Sequence, residues 1–191
     1  MMKLSKELSN YYCISGTKPE NESEFIKNCI DKIESGYKLI QLRSKHFSLQ
    51  TYQKIVCSII EIANKNKTII MLNSDMIETN LYGAYGVHLT EKGLNTYFPG
   101  KYGNNVVLSA SCHSLNDIQL AEKFHCDFIT LSPVLETNSH PEANLLGWEV
   151  FSQMTNKTKL KVFALGGISK DDLTKAKEYG AYGVAGISGF W

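Results

Sequence analysis

A (β/α)8 TIM barrel, formed as a single domain over residues 1–191 with its last helix nearly absent, is the fold that the sequence predicts. Three observations carry this expectation. First, eight short apolar runs alternate with polar stretches whose apolar residues fall near helical spacing, the pattern of a parallel sheet built from β/α units. Second, Tyr82-Gly-Ala-Tyr-Gly-Val87 recurs identically as Tyr179-Gly-Ala-Tyr-Gly-Val184, and Phe124-His-Cys-Asp-Phe-Ile129 resembles both. A repeated helix–turn–strand joint is what a β/α array requires, with Gly83 and Gly180 where a helix C-terminus takes a left-handed residue. Third, the last two apolar runs each end in glycine and serine, at Gly166-Gly-Ile-Ser169 and Gly186-Ile-Ser188. In a barrel of this type the loops after strands 7 and 8 often hold a phosphate on their backbone N–H groups.

Taken in order, strands are expected at residues 11–16, 39–43, 68–73, 86–89, 106–112, 128–134, 161–166 and 183–188. Between them, residues 23–35, 49–65, 114–124 and 170–179 have the polar and apolar spacing of amphipathic helices. Ser114-Leu-Asn-Asp117 and Ser169-Lys-Asp-Asp172 each offer a serine N-cap with acids in the first turn. The chain stops at Trp191, three residues after the last strand, so apolar barrel wall is expected near Phe190 and Trp191. A partner subunit, making a homo-oligomer, or the N-terminal ten residues would cover it.

Composition excludes several classes. A net charge of +1 gives no electrostatic reason to bind nucleic acid or an anionic membrane. Residues 1–10 lack the apolar core of a signal peptide, and no apolar run approaches the roughly 18 residues of a membrane span. Cys13, Cys29, Cys57, Cys112 and Cys126 are odd in number and never in C-x-x-C spacing. They read as buried reduced thiols in a cytoplasmic protein, not as a disulfide framework or a zinc site.

The strand ends bring together a polar ring. Gln41, Arg43 and Lys45 alternate and so share one face of strand 2, the face toward the barrel lumen. Two cations there suit an anionic ligand, unless Lys45 and Arg43 have already left the strand for solvent. Asn73, Ser74 and Asp75 follow strand 3. His88 lies inside apolar strand 4, either as a hydrogen-bonded core residue or as a catalyst. Ser109, Ser111 and His113 end strand 5, and His113 either orients the next helix or moves a proton. Ser132 and the loop from Thr137 to His140 follow strand 6, where His140 is either a surface residue or the proton carrier that such loops often supply. Gly166, Gly167, Ile187 and Ser188 complete the ring.

In this order, the motifs resemble the thiamine phosphate synthase/TenI superfamily across nearly the whole chain. The matching stretches are Gln41-Leu-Arg-Ser-Lys45, Leu72-Asn73, Gly83-Ala-Tyr-Gly-Val-His-Leu89, Ser111-Cys-His113, residues 127–137, Ala164-Leu-Gly-Gly-Ile168 and residues 183–188. Leu72-Asn-Ser-Asp75, Leu131-Ser-Pro-Val134, Ser139-His-Pro141, Leu146-Gly-Trp148 and the Gly-Phe-Trp191 ending look closest to the TenI-like domain that follows Nudix (MutT-type) hydrolases in other proteins.

The resemblance implies thiamine biosynthesis or salvage. Synthases of the family join a hydroxymethylpyrimidine diphosphate to a thiazole phosphate with Mg2+, releasing diphosphate. By it, Gln41, Arg43, Lys45, Asn73 and Ser111 would line the pyrimidine-diphosphate side. Thr137, Gly166, Gly167, Ile187 and Ser188 would hold the thiazole phosphate. Two positions that carry metal-binding acids in the family are Ser74 and Gly93 here, so Asp75, or Glu91, is the expected replacement, each displaced in register. The family's loop lysine is missing, with His140 near its place, and Pro133 stands where TenI tautomerases have their catalytic histidine. Catalysis is therefore expected of His140, His113 and Lys45. The best reading is a synthase-like transferase. The alternatives are a TenI-like thiazole tautomerase, a non-catalytic binder of thiamine-related phosphates, and an unrelated phosphate-binding barrel enzyme.

Overall fold

The computed structural model describes residues 8–16, 21–44, 46–137, 142 and 144–191. Eight strands, β1 (Tyr11–Ile14), β2 (Leu39–Leu42), β3 (Ile69–Asn73), β4 (Gly86–Leu89), β5 (Val107–Cys112), β6 (Phe128–Leu131), β7 (Lys161–Ala164) and β8 (Gly183–Gly186), pair in chain order. Every pairing is parallel, and β1 closes the barrel on β8 with Tyr11 opposite Val184 and Cys13 opposite Gly186. All eight expected strands form, but several stop short of their expected C-terminal ends. Residues 132–133, 165–166 and 187–188 leave the ladder and become the rim of a cavity instead.

The helices are α1 (Glu22–Glu34), α2 (Leu49–Lys65), α3 (Glu91–Asn95), α4 (Leu115–Lys123), α5 (Gly147–Thr155) and α6 (Leu173–Glu178). Ser114 caps α4 as expected: its Oγ accepts from Asp117 N–H, and the Asp117 carboxylate accepts from Ser114 N–H, a reciprocal capping box. Ser169 does not cap α6. Its N–H and hydroxyl both donate to the Asp172 carboxylate, at 2.8 and 2.9 Å, so a turn comes first and the helix begins only at Leu173.

The repeated joint is also corrected in one place. Gly180 and Gly83 are left-handed, with φ of 89° and 88°, and His125 takes the same region at 55°. Of these three, only the joints at Gly180 and His125 follow a helix, α6 and α4. Before Gly83 the chain has a single 3-10 turn, Ser74–Met76, and no helix.

Alternate residues point into the barrel and fill it in layers. At the bottom Leu8 closes the lumen over Tyr12, Leu39, Phe128 and Phe163. Tyr12, Phe128 and Phe163 meet edge to face with centroids 5.3 to 5.8 Å apart. Above them lies a polar layer of Gln41, Asn73, His88 and Ser109, all at most 4% exposed.

Outside the barrel, Phe190 and Trp191 themselves cover the wall that was expected to await a partner or the N-terminus. Phe190 is 1% exposed, packs between the Tyr11 and Tyr37 rings, and fills the space beside Gly186, where a Cβ would collide with it. Trp191 lies 5.6 Å from the Phe25 ring. Four of the cysteines are buried and all five are free, but Cys57 is exposed on the outer face of α2, contrary to expectation. Among the described residues no helix is long and apolar enough to cross a membrane.

Candidate active site

A cavity of about 800 Å3 opens at the C-terminal end of the barrel. Of the thirteen residues expected to catalyse, bind substrate or bind metal, eleven line it: Gln41, Arg43, Asn73, Asp75, Ser111, His113, Thr137, Gly166, Gly167, Ile187 and Ser188. The other two, Lys45 and His140, lie outside the described residues.

On the β2–β3 side, Ser15 brackets the backbone of Arg43, accepting from its N–H at 2.6 Å and donating to its carbonyl at 2.7 Å. This ties the end of β2 to the end of β1 and holds Arg43 at the cavity mouth, half-buried. Burial pulls its guanidinium below the ordinary range, and the Asp75 carboxylate opposes that shift. Arg43 has thus stayed at the cavity instead of turning out to solvent.

The β3–β4 rim shows what replaces the expected metal acids. Ser74 Oγ accepts from Thr90 N–H at 3.0 Å, and a Cβ at Gly93 would collide with that same oxygen. The two altered positions therefore touch, and a serine hydroxyl fills the space between them. Thr90 also donates its hydroxyl to Asp75 Oδ1 at 2.8 Å, which orients a carboxylate exposed to the cavity. Glu91 and Lys92 line the same rim.

The donor set fits magnesium in one way. Mg2+ commonly takes one or two protein carboxylates and completes its shell with water and substrate phosphate oxygens. Asp75 and Glu91 both place carboxylates on the cavity lining, whereas Ser74 and Gly93 supply no anionic oxygen, and among the described residues no group of three or more His, Cys, Asp or Glu could hold a metal ion.

The floor is His88, 2% exposed, with Ser109 Oγ 2.8 Å from its Nδ1 and Ser111 Oγ 2.9 Å from its Nε2. Burial, helped by the charge of Arg43, depresses its pKa to about 3, so it is a neutral hydrogen-bonded core residue. His113 sits at the β5–β6 rim. Its Nδ1 faces the Ser132 carbonyl at 2.8 Å, and a carbonyl only accepts, so in the neutral ring Nδ1 carries the hydrogen and Nε2 is left as a base. Its backbone N–H donates to the Asp117 carboxylate, so it anchors α4 as well as lining the cavity.

Opposite lies the glycine wall. Gly166 and Gly167 have φ of 92° and 67°, and a Cβ on Gly166 would stand 2.7 Å from Pro133 Cα. Only glycine allows the β7 loop to pass this close to the β6 loop in that conformation. Ile187, Ser188 and Gly189 bring the β8 loop alongside. Among the described residues, the N–H groups of Gly167, Ser188 and Gly189 donate to no other residue. Clustered free N–H donors favour an anion.

Sequence reasoning missed Tyr12, Lys92 and Glu136. Lys92 and Glu136 line the cavity from loops whose course no periodicity sets. Tyr12 had one signal, its shared strand face with Ile14, which also lines the cavity.

Residues 11–190 match the thiamine monophosphate synthase family. The chain is 33% identical over 184 residues to a putative thiamine-phosphate synthase 2 of Aquifex aeolicus, covering 96% of this chain and 98% of that protein. It is 31% identical to a thiamine-phosphate synthase of Prochlorococcus marinus, covering 86% of this chain and 48% of that longer protein. Its fold is similar to that of a thiamine phosphate pyrophosphorylase from Pyrococcus furiosus, with a TM-score of 0.75 at 24% identity, over 93% of this chain and 85% of that one.

Proposed function

Because the chain belongs to the thiamine monophosphate synthase family, we propose that it joins a hydroxymethylpyrimidine diphosphate to a thiazole phosphate and releases diphosphate. One observation carries the reading. Every described residue that the resemblance assigns to either substrate lines one cavity of about 800 Å3. Arg43 and the Gln41–Asn73 side would take the pyrimidine diphosphate. Thr137, Ser188 and the Gly166–Gly167 loop would take the thiazole phosphate. Both substrates are small and phosphorylated, which agrees with a chain of net charge +1 and no extended basic surface run.

Asp75 and Glu91 would hold Mg2+ in place of the missing pair, and the ion would neutralise charge on the leaving diphosphate. Arg43 would do the same from the neighbouring β2–β3 side, with a planar fork of donors suited to phosphate oxygens. Lys45 and His140 are proposed to complete the diphosphate side. A soluble cytoplasmic enzyme accords with five unpaired cysteines. The stretches Leu72–Asp75 and Leu146–Trp148 further support a place near the TenI-like domains that follow Nudix hydrolases.

His113 favours a second reading, proton transfer on a thiazole phosphate. Its Nε2 is left as the basic nitrogen by the Ser132 contact. A turnover assay with both substrates and Mg2+, reading thiamine phosphate by mass, separates the two. A folded protein that tautomerises a thiazole carboxylate phosphate but makes no thiamine phosphate belongs to the second.

A further inference from the structure

Across the cavity floor, one hydrogen-bonded series has its direction set at its first member. The Asp75 backbone N–H can only donate, and it donates to Asn73 Oδ1 at 3.0 Å. That orients the Asn73 amide, whose Nδ2 donates to Gln41 Oε1 at 3.4 Å. Gln41 Nε2 in turn donates to the Tyr12 hydroxyl at 2.9 Å. With that hydroxyl oxygen engaged as an acceptor, its own hydrogen is free to donate to His88 Nδ1, 3.3 Å away, or to Ser109, whose Oγ lies 2.8 Å from the same nitrogen. His88 Nε2 faces Ser111 Oγ at 2.9 Å.

We infer that this series locks His88 as its Nε2–H tautomer, and that Tyr12 and His88 are positioning residues which make Ser111 a hydrogen-bond donor toward the cavity. His88 Nε2–H donates to Ser111 Oγ, and the Ser111 hydrogen is thereby turned into the open space. Asn73 and Gln41 each use one amide hydrogen within the series and keep a second. This wall therefore offers hydrogens, and it fits a ligand face that carries acceptors, such as the ring nitrogens of a pyrimidine. That choice of ligand rests on the synthase reading, whereas the tautomer does not. The depressed basicity of His88 keeps the ring neutral across the working range, so a single tautomer is maintained there.

The test is side-chain nitrogen NMR of the free protein, with His88 identified among the five histidines by its loss in His88→Gln. The expected wild-type spectrum has a pyrrole-like Nε2 and a pyridine-like Nδ1, unchanged between about pH 5 and pH 8. A hydrogen on Nδ1 overturns the inference, and this result decides even where a variant fails to fold. Tyr12→Phe removes one of the two hydroxyls beside Nδ1 and leaves Ser109. It is expected to give mixed tautomers and to weaken binding of hydroxymethylpyrimidine diphosphate roughly three- to tenfold, with thiazole phosphate binding unchanged. A Tyr12→Phe protein with an unaltered spectrum and unaltered affinity also overturns it. The expected spectrum in a wild-type protein that binds no pyrimidine diphosphate upholds the tautomer and overturns the ligand reading.

Discussion

Ser74 and Gly93 show at the scale of single residues how two departures from a family pattern become one. The hydroxyl of Ser74 fills the space a side chain at 93 would need, and it is held there by Thr90 N–H. Restoring an acid at 93 alone would drive it into that oxygen. Across the cavity, Ser188 sits where free N–H groups converge. Ser188→Asp places a negative charge among them, and a repulsion of ~1.4 kcal/mol is already tenfold in affinity. Thiazole phosphate binding is expected to weaken about tenfold or more, as titration calorimetry would read; unchanged affinity would remove Ser188 from the phosphate site. Gln41 and Arg43 were legible because strand alternation alone puts them on one face. The Tyr12–His88 contact was not, because it joins residues 76 apart in sequence, a pairing that only barrel closure creates.

At the scale of elements, two aromatic residues after β8 pack onto the outer wall of the barrel. Phe190 is almost fully buried against Tyr11, Tyr37 and the bare backbone of Gly186. Phe190→Ala should lower the free energy of unfolding by about 3–5 kcal/mol, read from urea midpoints, because it leaves a cavity on the barrel wall. A loss under ~1 kcal/mol would mean that the wall is covered otherwise. The strands were legible from their apolar runs, but not their ends, because the runs continue after the ladder has turned into cavity rim. Two helices escaped sequence reasoning for separate reasons. α3 is five residues long with Gly93 inside it, and α5 has no side-chain cap, starting from Leu146. α6 begins late because the Asp172 carboxylate takes both Ser169 donors.

Across the whole molecule, the layers of the barrel couple its stability to its site. An aromatic lower layer supports a polar one, and that polar layer is the cavity floor. His88 belongs to it, facing Tyr12, Ser109 and Ser111, with the Arg43 charge acting on it. Its ordinary pKa of 6.5 falls to about 3 on folding, so between those values the unfolded chain holds a proton that the folded chain does not. Its contribution is complete above about pH 6.5 and is lost as pH falls, by at most ~1.4 kcal/mol per pH unit. Wild type should therefore lose more stability than His88→Gln between about pH 7 and pH 5 in urea titrations. Parallel losses would mean that His88 protonates without cost. Turnover of hydroxymethylpyrimidine diphosphate and thiazole phosphate with Mg2+ is the measurement that decides whether this one cavity joins two phosphorylated substrates. Thiamine phosphate is expected, formed with multiple turnovers and lost when magnesium is chelated. No product from a folded protein that binds thiazole phosphate would contradict it.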